Sequence, residues 1–287
     1  MAVAMVVAAS CSKETNDDLT PAPFDDNGAS RALFSVAADK QVRLSRGNLQ
    51  YQASTGTWRF AEKQYEVVGL TNSYVSANYE DWIDLFGWGT SGWESGANAY
   101  QPWSISVDGA DYQPGGNWQN GLFGDYANAD WGVYNPISNG GNQTGMWRTL
   151  KNTEWAYLFG GGKRVNRWGR ASIEGRYNGI ILLPDEWTTP EGIDFSPALV
   201  GFVSNAYTLE QWERMEAAGA IFLPAAGYRE GAAYGTQNEF GAYWSVSPLN
   251  ADYPDCALSL IFNENELHCN AGVSRSYAFS VRLVQDL

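Results

Sequence analysis

Two cysteines and a histidine near the C-terminus, Cys256, His268 and Cys269, are the side chains best equipped for nucleophilic, redox or metal chemistry. Their number and spacing restrict them. His268 is the only histidine, so a His-rich zinc site or a Ser-His-Asp triad would rest on it alone. It reads as a surface side chain open to ligand contact. The run Gly160-Gly161-Gly162-Lys163-Arg164 lacks the spacing of a phosphate-binding P-loop and the Ser or Thr after its lysine, and reads as a helix stop. Glu80, Asp81 and Asp84 offer an acid pair or a calcium ligand set, as Asp108 to Asp111 and Asn128 to Asp130 do more weakly. No spacing fixes their geometry, and such clusters are ordinarily solvated faces. Neither a metal nor a cofactor is expected.

The elements that must position these groups are short. The 287 residues include 13 Trp, 16 Tyr and 31 Gly, a loop-rich composition in which large rings fill the space between turns, and no long helical period appears. A net charge of -14 argues against nucleic acid, whose affinity comes from Lys and Arg neutralising phosphates.

Near the C-terminus, Gly241 to Ser247 and Tyr277 to Val284 form two apolar frames. Phe279, Val281 and Leu283 alternate with Ser280 and Arg282, the period of a strand with one buried side. Between the frames, Leu258, Leu260 and Phe262 alternate with Ser259 and Ile261 up to a polar turn at Asn263-Glu264-Asn265, which reads as a hairpin. Short strands are expected at Gln41 to Leu44, Asn48 to Gln52 and Thr57 to Ala61, and from Ala220 into a turn at Pro224. Between Trp82 and Gly145, Gly, Asn, Asp, Tyr and Trp crowd together as in long loops pinned by rings, with Trp88, Trp131 and Trp155 expected in the core. Two helices stand out. One runs from Asn152 to Phe159 and stops at the glycines; the other has capping-box spacing at Thr208 and Gln211, an apolar face of Leu209, Trp212 and Met215, and a stop at Gly219.

Residues 1–10 are apolar and small-sided and end at Cys11, followed by Ser12-Lys13-Glu14-Thr15-Asn16-Asp17-Asp18. This resembles a bacterial lipoprotein signal, truncated because its basic n-region is missing, with Cys11 as the lipid-attachment residue. The acidic residues after the cysteine resemble the tag by which Bacteroidetes lipoproteins reach the outer-membrane surface. Residues 11–30 then read as a lipid-anchored flexible tether and 31–287 as a single domain. In an oxidising compartment Cys256 and Cys269 would lie on the two arms of the hairpin, as a disulfide or as two free thiols. Their unequal offset from the turn means that a bridge would need a bulge or a diagonal approach.

The segment Arg148 to Leu158, with its Glu154-Trp155-Ala156-Tyr157 helix, resembles that of formylglycine-generating enzymes and their relatives. Phe222-Leu-Pro-Ala-Ala-Gly-Tyr-Arg229, the Tyr243-Trp244-Ser245 frame and the Phe279 to Val284 ending are similar to the same superfamily, as are Arg46 to Tyr51 and Phe86 to Gly92. The resemblance implies an α+β, C-type-lectin-like fold: an irregular mixed sheet, two helices and long loops. Lys151 departs from it, standing where such helices place a Thr cap. The two closely spaced reactive cysteines of the catalytic members are absent, so the implied function is non-catalytic. So are the Glu-Pro-Asn and Trp-Asn-Asp triplets of calcium-dependent sugar-binding lectins.

One subgroup of this fold consists of variable proteins diversified by retroelements between a Trp-Ser frame and the C-terminal strand, an interval that here runs from Val246 to Tyr277. The expected ligand face, for an unknown protein or glycan, comprises Asn250, Tyr253, Asp255, Ser259, Ile261, Asn263, Asn265, His268, Asn270, Ser274 and Tyr277, held by a frame of Trp244, Phe279 and Leu283. The alternatives are a glycan-binding module using the aromatic loops 82–132, including Trp93 and Trp103, and a vestigial enzyme relying on Cys256.

Overall fold

The computed structural model describes residues 22–93, 99–197 and 200–287; the leader 1–10, Cys11 and tether residues 12–21 lie outside them. Among the described residues, no helix is long and apolar enough to cross a membrane. The fold is mixed α+β, with helices α1 (Trp131–Tyr134), α2 (Asn152–Leu158) and α3 (Leu209–Ala217), several 3-10 turns and five small sheets, none closed.

Both expected helices form, for the expected reasons. At α3, Thr208 Oγ1 accepts from Gln211 N at 3.2 Å and Gln211 Oε1 accepts from Thr208 N at 2.9 Å, while Trp212 and Met215 are fully buried. Gly219, at φ +98, supplies the left-handed residue that ends it. At α2, Lys151 has no side-chain acceptor to cap with. The reciprocal half of the cap survives, because Glu154 Oε2 accepts from Lys151 N at 2.9 Å, and the helix starts at Asn152.

The folded body begins earlier than residue 31, which corrects the tether boundary. Asp25 Oδ1 accepts from Asn27 N and Ala29 N, its carboxylate pairs with Arg43 at 2.8 Å, and Ala29 and Ser30 are buried. The polar residues there close a turn through their own backbone instead of solvating a linker. Lys40–Leu44 then lies between the first strand, Phe34–Ala37, and the last, Leu283–Asp286.

Phe240–Pro248, Cys256–Asn263 and Leu267–Ser274 form the expected antiparallel hairpin sheet. Asn263 Oδ1 shapes the turn by accepting from Asn265 N and Glu266 N, both at 2.8 Å. Two expectations of one-sided burial fail. The sheet runs between two core clusters, one holding Trp244, Val246 and Ala257, the other Tyr243, Leu260 and Phe262. Ser259, assigned to the ligand face, is consequently buried opposite Trp244, with Oγ donating to the Ala271 carbonyl at 3.2 Å. The terminal strand also splits, into Tyr277–Ala278 and Leu283–Asp286, with Ser280 and Arg282 fully buried between them. Arg282 donates to Gln64 Oε1 at 2.7 Å and to Asn48 Oδ1 at 3.3 Å, and so becomes a polar pin inside the core.

From Asp84 to Trp147 little ladder exists, and side chains hold the chain together. Trp88 Nε1 donates to the Ser245 carbonyl at 2.7 Å, Trp244 Nε1 to Phe86 at 2.7 Å and Asn135 Nδ2 to Ser91 at 2.8 Å. Buried Arg275 donates to the carbonyls of Trp118 at 2.7 Å and Cys256 at 3.2 Å, with its guanidinium 4.4 Å from the Trp88 ring centroid. Trp88, Trp131 and Trp155 lie in the core as expected.

Candidate functional site

The cysteines are both free thiols. Cys256 sits opposite Ser274, while Cys269 lies further along the same arm, about 16 Å from Ser274 at the rise of a strand. A disulfide needs Cα atoms closer than about 7 Å, so the bridged alternative falls away. Burial pushes the Cys269 thiol up to about 12, and burial with the adjacent Asp255 raises that of Cys256. Neither environment yields a thiolate nucleophile.

The acidic clusters separate as well. Glu80 and Asp81 are exposed, whereas Asp84 is buried, accepting from Val68 N and Asn72 Nδ2, each at 2.8 Å. Asp130 is likewise buried, accepting from Thr149 N at 2.8 Å and Gly132 N at 3.1 Å. Burial pushes both carboxyls up to about 6, and both tie loop backbone together. Among the described residues, no three His, Cys, Asp or Glu side chains group as metal ligands.

The eleven expected face residues divide into distinct groups. At the turn end of the hairpin, Asn263 and Asn265 form the turn, and Ile261 and His268 stand opposite each other on one side of the sheet. His268 is exposed, with Nε2 3.7 Å from Glu266 Oε2. Tyr277 and Ile261 pack half-buried against the same cluster as Tyr228, Phe240 and Val273, and the Tyr228 ring lies 5.4 Å from Tyr277 and 5.9 Å from Phe240. Burial, then the Glu230 carboxylate, raises the Tyr277 hydroxyl, so it stays protonated and can donate a hydrogen bond.

Asn270 is exposed beside α2, where its Oδ1 accepts from Asn152 Nδ2 at 3.3 Å. At the opposite end of the hairpin, Asp255 Oδ1 accepts from Gln113 Nε2 at 2.7 Å, and Asp255 and Ser274 close on Gly109. Asn250 and Tyr253 form the exposed loop there, Tyr253 with 60% of its surface accessible. The two ends are about 23 Å apart along the eight-residue arm Cys256–Asn263. One continuous face through all eleven therefore does not exist, and Ser259 belongs to none of the groups.

No protein-family model, curated protein or solved structure matches this chain. Function must be argued from the geometry.

Two contributors to the turn end escaped sequence reasoning. Tyr228 follows an apolar strand and reads as its continuation, and Phe240 precedes the Gly241 frame by one residue. Their signal was the aromatic type at a strand edge, where a ring is half-covered. In the aromatic loops, Trp103 stacks on Tyr51 with centroids 6.2 Å apart, and Trp93 packs 5.5 Å from Tyr100 and 6.0 Å from Tyr126. These rings face one another, which explains their presence without a ligand.

Proposed function

We propose that this chain is a lipid-anchored, non-catalytic cell-surface protein with a C-type-lectin-like domain, binding a protein or glycan ligand through the turn end of its terminal hairpin. The reading narrows the ligand face to Ile261, Asn263, Asn265, His268 and Tyr277, joined by Tyr228 and Phe240. One observation carries it: these side chains project from a backbone fixed by its own ladder and turn, while the core is built by Leu260, Phe262 and Trp244 beneath. A rigid, half-exposed aromatic patch with polar neighbours loses little conformational freedom on binding. The protonated, poorly nucleophilic thiols support a role without catalysis.

The test uses arrays of immobilised glycans and purified secreted proteins probed with the intact chain. Saturable binding abolished by Asn265→Ala with His268→Ala, at unchanged circular dichroism, supports the proposal. Binding untouched by the pair, or loss of fold in the pair, refutes it. The anchor is tested separately by palmitate labelling of cells expressing the chain, which Cys11→Ala should eliminate.

A further inference from the structure

A cavity of about 410 Å³ lies beside the hairpin turn, lined by Asn178, Phe202, Asn238, Glu239 and Glu264. We propose that it binds a neutral or amine-bearing pyranose sugar unit. Four of its five lining side chains are carboxylates or amides, and no Lys or Arg lines it. Acceptors are in excess, so a complementary ligand must bring hydrogen-bond donors, as hydroxyls and ammonium groups do. Phe202 adds an aromatic surface on which the C–H face of a sugar ring can rest. Two carboxylates without a lining cation disfavour an anionic ligand by like-charge repulsion.

The rim is held by backbone. Gly201 N donates to the Glu264 carbonyl at 2.6 Å, and Arg170 donates to the carbonyls of Asn263 at 2.6 Å and Glu266 at 2.7 Å. Asn238, in a left-handed conformation at φ +64, donates from N to Ala225 at 2.8 Å and accepts at its carbonyl from Asn178 Nδ2 at 2.9 Å. Phe202 packs edge-on against Phe262, with centroids 6.5 Å apart. The carboxylate of Glu264 meets only Asn265 Nδ2, at 3.4 Å, so it keeps most of its accepting capacity. Phe262 and Ile261 are consecutive strand residues and point to opposite sides, so the cavity is separate from the aromatic patch proposed above.

Saturation-transfer NMR and calorimetry with methyl glucoside, glucosamine and glucuronate test the assignment. The expected result is saturable binding of the first two, with glucuronate weaker by about tenfold or more, as loss or repulsion of a charged hydrogen bond gives. Glu239→Ala with Glu264→Ala should weaken glucosamine by about tenfold or more at an unchanged melting temperature, and His268→Ala should leave it unaltered. Absence of saturable binding for all three sugars, equal binding of glucuronate, or wild-type affinity in the double variant would overturn it.

Discussion

The terminal hairpin and the loop belt from Asp84 to Trp147 reach a fixed backbone by opposite means. In the hairpin, Cys256–Asn263 and Leu267–Ser274 are fixed by main-chain ladder bonds that any residue except proline supplies, so side chains at Ile261, Asn265 and His268 are released from structural duty. In the belt, the indole of Trp88, the amide of Asn135 and the guanidinium of Arg275 satisfy the loop carbonyls themselves. Their identities are structural. The contrast assigns tolerance of substitution to the backbone-held region and intolerance to the side-chain-held one.

Breaking the belt should have the largest effect. Trp88→Ala removes a fully buried ring, its bond to Ser245 and the surface on which Arg275 rests, and should cost about 3 to 5 kcal/mol in urea denaturation. A cost below about 1 kcal/mol would put the belt in the tolerant class.

The two buried carboxyls of the belt sharpen the comparison through pH. With Asp84 and Asp130 raised to about 6 in the folded chain and near 4 when unfolded, the native state binds the extra protons. Their contribution to stability is therefore present below about pH 4 and lost as pH rises through about 6. Between pH 5 and pH 7.5 the melting temperature should fall, and Asp130→Asn should reduce that fall; an unchanged slope would count against the assignment.

Within the hairpin itself, Ser259→Val should cost about 1 to 3 kcal/mol, because the buried hydroxyl is bonded to Ala271 and the site opposite Trp244 has no spare room. A neutral result would return Ser259 to the solvent face. His268→Ala or Asn265→Ser should each change stability by less than about 0.5 kcal/mol.

The local signals in the sequence were read well. Capping chemistry at Thr208 and Gln211 placed α3, and alternation up to Asn263-Glu264-Asn265 placed the hairpin arms and their turn. What escaped depends on how sheets stack. A strand between two cores hides both faces, so the period-two pattern at Ser259, Ser280 and Arg282 marked polar groups buried with partners, not exposure. The buried arginines were illegible for the same reason: their partners are carbonyls of distant loops, Trp118 for Arg275 and Ser104 for Arg229. Of the candidate site, the turn-end residues were legible as polar breaks in an apolar frame. Tyr228, Phe240 and the Asn178-Phe202-Glu239 cavity wall, assembled from separate stretches of chain, were not.

Thermal denaturation of one combined variant, Ile261→Thr, Asn265→Ser, His268→Tyr and Asn270→Ser, probes the division between held backbone and released side chains most directly. The ladder-held hairpin predicts a cooperative transition lowered by no more than about 5 °C, the effect of roughly 1 kcal/mol in a domain of this size or smaller. A loss of cooperativity, or a fall of more than about 10 °C, would contradict it and make these residues part of the core.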